Sequence, residues 1–274
     1  MEDGRLRELA AVREFTLLGD AAAADGAIPR AKIDETAEAV AAQVATARRL
    51  GARLITVVGT AILRAAPNSA ELGEEVERLT GFPLRVLSEA AEAELSFLGA
   101  TEVSDLDRSE PVGVADVGGG SSEIAVGTPG QKPTWWSSME IGSAILAREC
   151  INADPPTGDE IARLRDRAAE VVRALDPPEV AVALAVGGSA TSLRLLAGPR
   201  LDDRALERAL HLLTHSSCAD VARDHEIDVR RVKLLPAGIA ILAAIAGLLA
   251  VPLQVARGGL REGVVLRLAS SAAL

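Results

Sequence analysis

Between residues 112 and 126 an apolar run, Val112–Asp116, gives way to three consecutive glycines, Gly118-Gly119-Gly120, and resumes beyond Ser121-Ser122 as Glu123–Val126. Two short apolar runs bracketing a glycine turn predict an antiparallel hairpin rather than a strand-to-helix crossover. Around it the chain alternates. Lys32–Leu50 has apolar residues at helical spacing and stops at Gly51, Leu54–Val58 is an apolar run of the buried parallel type, and Glu71–Leu79 is helical. Leu84–Leu87 follows as a strand and Glu89–Leu98 as a helix closed by Gly99. Beyond the hairpin come a charged helix, Thr157–Leu175, and a strand, Val180–Val186, that runs into Gly187-Gly188-Ser189. Helices then extend to about Ala250, with a strand at Leu253–Ala256 and a last helix from Leu260. Strands alternating with helices predict an α/β layer fold. The polar, acidic stretch Thr101–Pro111 ends in proline and sets the expected domain boundary, 1–108 against 109–274.

Composition bears on partners. Lys plus Arg is 29 against 39 for Asp plus Glu, a net charge of −10, whereas a general nucleic-acid binder is basic. Three Phe, two Trp and no Tyr leave little to stack on single-stranded bases, so no nucleic acid is expected. An acidic chain that binds a polyanion needs local cations or metal ions. Cys150 and Cys218 cannot staple a scaffold and no C-x-x-C is present, which predicts a reducing, cytoplasmic setting. The acidic, polar start Met1–Arg5 is no secretory signal. Leu234–Leu253 carries no charge over about the length that spans a bilayer. It is rich in Ala and Gly, has a proline near each end and runs into a strand, so a buried central helix is expected and no membrane partner.

Several chemistries lack their motifs: there is no Walker A sequence, no G-x-G-x-x-G and no H-E-x-x-H. His211 and His215 share a helix face without a third ligand nearby and read as surface histidines. Gly187-Gly188-Ser189-Ala190-Thr191 approaches G-x-S-x-G but lacks the last glycine, and no Asp and His follow in order. What remains is Asp116-Val117-Gly118-Gly119-Gly120-Ser121-Ser122-Glu123. A carboxylate at a strand end followed by three glycines gathers backbone N–H groups on one turn. Such a nest holds phosphate oxygens, with Asp116 and Glu123 placed to hold Mg²⁺ directly or through water. The plainer reading is a tight turn at positive φ that Asp116 caps; three glycines between two acids exceed what a turn needs. Gly187-Gly188-Ser189 repeats the form after a second strand.

On these residues the chain resembles the exopolyphosphatase/guanosine pentaphosphate phosphohydrolase (Ppx/GppA) family of the actin-like ATPase superfamily. Five blocks stand in the family's order: Val58–Arg64 through Asn68, Leu87-Ser88 to Gly99, Asp116–Glu123, Gly187–Thr191 and Gly258–Gly263. The resemblance implies two actin-like (ribonuclease H-like) α/β domains with a cleft between them. Family members open with a strand and a D-x-G-(S/T)-N-S turn before the segment equivalent to Gly4–Leu9, so it also implies a first domain truncated at its N-terminus. Two further departures are Glu89-Ala90-Ala91-Glu92-Ala93 for the usual G-x-E-E-A, and Lys233 where an aspartate is often found.

The implied activity is Mg²⁺-dependent removal of the terminal phosphate from inorganic polyphosphate. Guanosine pentaphosphate is the rival substrate, and a catalytically silent phosphate- or nucleotide-binding module the rival class. By resemblance Glu92 is the catalytic base, brought toward Asp116 by domain closure, and Asp116 and Glu123 are the Mg²⁺ ligands. Arg64, Gly118, Gly119, Gly120, Ser121, Gly187, Gly188 and Ser189 are the phosphate contacts. Arg261 reads as a helix-start arginine bonded to Glu262 or a carbonyl. A homodimer stays open.

Overall fold

A computed structural model describes residues 6–21 and 26–270; Met1–Arg5, read above as no signal, lie outside them. Packing divides the chain into two units, Met1–Glu89 and Ala90–Leu274.

In the first unit α1 (Leu18–Ala21) precedes α2 (Arg30–Arg49), β1 (Val57–Gly59), α3 (Ala61–Ala65), α4 (Ser69–Thr80) and β2 (Leu84–Val86). The helical spacing of α2 buries Ile33, Ala37 and Val44 on one face. Ile33 and Ala37 meet Leu72 and Val76 of α4 in a core completed by Ile28, Leu63 and Ala66. Gly81, at φ 77°, ends α4 in the left-handed conformation that a side chain would strain. β1 and β2 pair in parallel, Val57 opposite Leu84. The strand expected over Leu54–Val58 is shorter: Leu54 lies outside it and is 67% exposed. Its side chain finds no partner face in this two-stranded sheet.

The second unit opens at Ala90, one residue into α5 (Glu89–Glu102), and continues with the hairpin β3 (Val112–Val117) and β4 (Ser122–Gly127), followed by β5 (Trp135–Met139). Next come α6 (Ser143–Cys150), α7 (Gly158–Val172), β6 (Val182–Val186), α8 (Gly187–Ala197) and β7 (Arg200–Leu201). The chain continues through α9 (Asp203–His215), α10 (Cys218–His225), α11 (Val229–Val232), α12 (Leu235–Leu249), β8 (Leu253–Val255) and α13 (Leu260–Ala269). The strands form one six-stranded sheet in the order β5-β4-β3-β6-β8-β7, with β3, β6 and β8 parallel and β4 antiparallel to β3 as the glycine turn predicts.

Period-two alternation assigns the sheet's faces. Ala115, Val117, Ile124, Ala183 and Ala185 join the large core that includes α7, α9 and α12. Val112, Val114, Ala125, Leu184 and Val186 face Ala93, Phe97 and Ala100 of α5. α12 is buried along most of its length. At 15 residues it reaches roughly 22 Å, short of a bilayer's hydrocarbon core of about 30 Å. No helix among the described residues is long and apolar enough to cross a membrane.

Gly99 does not close α5 as the sequence suggested; the helix runs on to Glu102. The glycine is there for close approach. A Cβ at Gly99 would collide with the Gly259 carbonyl, and one at Gly263 with the Leu95 carbonyl, so α5 and the start of α13 touch backbone to backbone. This contact and the Phe97 packing seat α5 on the second unit's sheet, which puts the divide at Glu89/Ala90 where the linker composition had suggested 108/109.

Candidate active site

Asp116 near the end of β3 and Glu123 at the start of β4 are directly opposite across the hairpin. The row extends sideways to Ser138 on β5 and Val186 on β6. α5 covers this face of the sheet and contributes Ser96, whose hydroxyl donates to Asp116 Oδ2 at 2.5 Å. Glu92, one helical turn before Ser96, is itself buried, 7% exposed. Ser138 donates to Glu123 Oε1 at 3.1 Å. Asp116 and Glu123 are thus each bonded to a serine hydroxyl, and the charge of the buried Glu92 acts on Glu123, all within the second unit.

Like charges directly opposite each other in a sheet repel, and burial strips them of water. Burial raises the Asp116 carboxyl above its ordinary value, with the Ser96 hydroxyl opposing. Burial, helped by the charges of Glu92 and Asp116, lifts Glu123 to about 7. These groups carry negative charge only at a cost.

Two glycine segments border the carboxylates. In residues 118–121 the Gly118 N–H donates to Ser121 O at 3.0 Å. The carbonyls of Gly118 and Gly119 accept from Ser143, Ala144 and Ile145, so the loop is anchored on the first turn of α6. Gly142 allows this approach, because a Cβ there would run into Gly119. None of the loop glycines has positive φ, so the turn requirement does not account for them. Among the described residues the N–H groups of Gly119 and Gly120 have no protein acceptor. The second segment, Gly187-Gly188-Ser189, is the first turn of α8 rather than a loop before it. Gly187 has φ 88°, and a Cβ on it would lie 2.6 Å from Asp116 Oδ1. The amino end of α8, with its outward N–H groups and partial positive charge, therefore abuts the carboxylate.

The family model for the Ppx/GppA phosphatase family matches residues 2–272. The chain belongs to that family. Exopolyphosphatase 1 of Mycobacterium leprae is 26% identical over 268 residues, 90% of this chain and 78% of that protein. An uncharacterized protein of Streptomyces coelicolor is 36% identical over 148 residues, 53% of this chain and 44% of the relative's length. In fold, the Ppx/GppA family member of Aquifex aeolicus matches with TM-score 0.83 and 24% identity over 99% of this chain and 92% of that one. An exopolyphosphatase from Cytophaga hutchinsonii matches with TM-score 0.82 and 19% identity, over 93% and 88%. The α/β fold is that of the solved Ppx/GppA proteins.

Within this Ppx/GppA chain the structure brings together Glu92, Asp116, Glu123, Ser121 and the two glycine segments, all in the second unit. Glu92 on α5 and Asp116 on β3 belong to the same unit. Arg64 belongs to the first unit, where its guanidinium donates to the Leu87 carbonyl at 2.9 Å and ties α3 to the end of β2. Arg261 is 3.9 Å from Glu262, as the sequence suggested, while Glu262 caps α13 by accepting the Gly259 N–H at 2.8 Å. Sequence reasoning missed Ser96, Ser138 and Arg231. Ser96 had a signal, its four-residue spacing from Glu92 on a helix. Ser138 had none, because Trp135–Met139 neither alternates nor forms an apolar run. Arg231, half-buried at the end of α11, lays its guanidinium against Gly188 at the start of α8. Nothing in the sequence connects those two positions.

Among the described residues no group of three His, Cys, Asp or Glu converges as a complete metal cage. The Asp116 and Glu123 carboxylates, opposite each other across the hairpin, offer the hard oxygen donors that Mg²⁺ takes.

Proposed function

We propose that this chain hydrolyses the terminal phosphoanhydride bond of inorganic polyphosphate. The observation that carries the reading is the convergence of Glu92, Asp116 and Glu123 beside the amino end of α8 and the Gly118–Ser121 loop. Water attacks the terminal phosphorus, the bridging P–O bond breaks, and orthophosphate leaves the shortened chain. Glu92 accepts the proton from the attacking water. The N–H groups of Gly119 and Gly120 and the first turn of α8 bind phosphate oxygens, and the Arg231 guanidinium adds positive charge at the same turn. Asp116 and Glu123 would hold Mg²⁺, which when bound neutralises phosphate oxygens. Ser96 and Ser138 fix the two ligands in place. The names of the mycobacterial relatives support polyphosphate over guanosine pentaphosphate.

The test is phosphate release from long-chain polyphosphate with and without Mg²⁺, comparing wild type with Glu92→Gln. The variant keeps size and polarity but loses the base, so turnover should fall roughly 10²–10⁴-fold while polyphosphate binding persists. Turnover close to wild type would remove Glu92 from the mechanism. Binding without release in the wild type would make the chain a silent phosphate module, and release from guanosine pentaphosphate alone would reassign the substrate.

A further inference from the structure

A second site lies in the same unit and shares no lining residue with the carboxylates. A cavity of about 250 Å³ opens between the end of α6, the 151–157 loop and the starts of α10 and α12. Ile151, Leu213, Val232 and Leu234 give it aliphatic walls, and Cys218 lies along one side. Its outer wall is firmly built. The Glu160 carboxylate accepts the N–H groups of Asn152 at 2.8 Å, Ala153 at 3.2 Å and Thr157 at 2.8 Å. Asp154 Oδ1 accepts the Cys218 N–H at 2.8 Å, which pins the loop to α10.

The cavity also carries two opposite charges, Asp154 on the loop and Lys233 between α11 and α12. Neither makes an ion pair within 4.0 Å among the described residues, so they line one space without neutralising each other. Cys218 does not join in: burial and the neighbouring Asp154 carboxylate lift its thiol to about 12, leaving it a neutral wall.

We propose that this cavity binds a free aliphatic α-amino acid, with its ammonium on Asp154, its carboxylate on Lys233 and its side chain against the four aliphatic walls. Size permits it, since an apolar cavity of about 150 Å³ already holds benzene. Charge selects it. A simple carboxylic acid would face Asp154 without a compensating cation, and a simple amine would face Lys233. A zwitterion satisfies both, and apolar walls with a few convergent polar groups are the usual composition of a small-molecule site.

The experiment is calorimetric titration of the full chain with L-leucine, backed by 4-methylpentanoate, which lacks the ammonium, and leucinamide, which lacks the carboxylate. Saturable leucine binding is expected, with each analogue at least about tenfold weaker. Lys233→Met, at an exposed position and with circular dichroism checking its fold, should weaken leucine at least about tenfold and restore parity between leucine and leucinamide. Leu213→Trp, which fills the cavity, should abolish binding, with circular dichroism confirming that the variant folds. No saturation by leucine up to about 10 mM would overturn the proposal, as would an analogue binding as tightly as leucine or a Lys233→Met variant binding normally.

Discussion

Glu123 stands across the hairpin from Asp116 with little water around it, and the consequence is a pH dependence whose sign follows from its folded value. The carboxyl titrates near 7 in the folded chain against an ordinary 4.5. Folding therefore favours its protonated form. The group's full contribution to stability is present below about 4.5 and is lost as pH rises through about 7, a difference of up to about 3 kcal/mol. Asp116, also raised by burial, acts in the same direction. In metal-free buffer the urea midpoint should fall between about pH 5 and about pH 8, and Glu123→Gln should reduce that fall. Identical slopes for wild type and variant would show that Glu123 titrates normally. On the proposed metal role of Asp116, Asp116→Asn removes a carboxylate charge, so the Mg²⁺ concentration for half-maximal phosphate release should rise by at least about tenfold. An unchanged Mg²⁺ titration would exclude Asp116 from the metal site.

At the scale of the element, glycine is the residue whose meaning the sequence left most ambiguous. Gly73 and Gly99 both lie inside helices, α4 and α5. A Cβ at Gly73 meets nothing within 4 Å, whereas one at Gly99 collides with the Gly259 backbone. The same substitution should therefore have opposite signs. Gly73→Ala should raise stability by about 0.5–1 kcal/mol through the unfolded chain's lost freedom. Gly99→Ala should lower it by about 1–3 kcal/mol and, by displacing α5, disturb Glu92 and Ser96 as well. Thermal melts of the two variants decide this, and destabilisation by both or neither would refute the packing argument. Local pattern could not distinguish these glycines, because what separates them is a segment some 160 residues along the chain. The hairpin, by contrast, was legible: apolar runs, turn and flanking acids all lie within fifteen residues, and the register that opposes Asp116 to Glu123 follows from the turn. β5 was not legible, since its place depends on β4 supplying a ladder rather than on its own residues.

For the whole molecule, the two units differ in the means each has of staying folded. The first relies on a small core, with Ile33, Leu72 and Val76 at its centre, under a two-stranded parallel sheet whose Val86 remains 42% exposed. Small two-stranded sheets are marginal without packing helices, and here α2 and α4 cover one side. The second unit has a six-stranded sheet buried on both faces and a much larger core around α12. The first unit should therefore unfold at lower guanidinium concentration than the second. The chain separates the signals by its composition: both tryptophans, Trp135 and Trp136, lie on β5 in the second unit. Tryptophan emission then reports the second unit alone, while far-ultraviolet circular dichroism reports the helices of both. The helical signal should begin to fall before the emission moves, and the two curves should not superimpose. Mg²⁺ sharpens the test, because an ion held, as proposed, by Asp116 and Glu123 would stabilise only the unit that binds it. It should shift the emission transition to higher denaturant and leave the early dichroism step in place. Coincident curves with and without Mg²⁺ would show that the units unfold as one, and the difference in their cores would then have no energetic consequence.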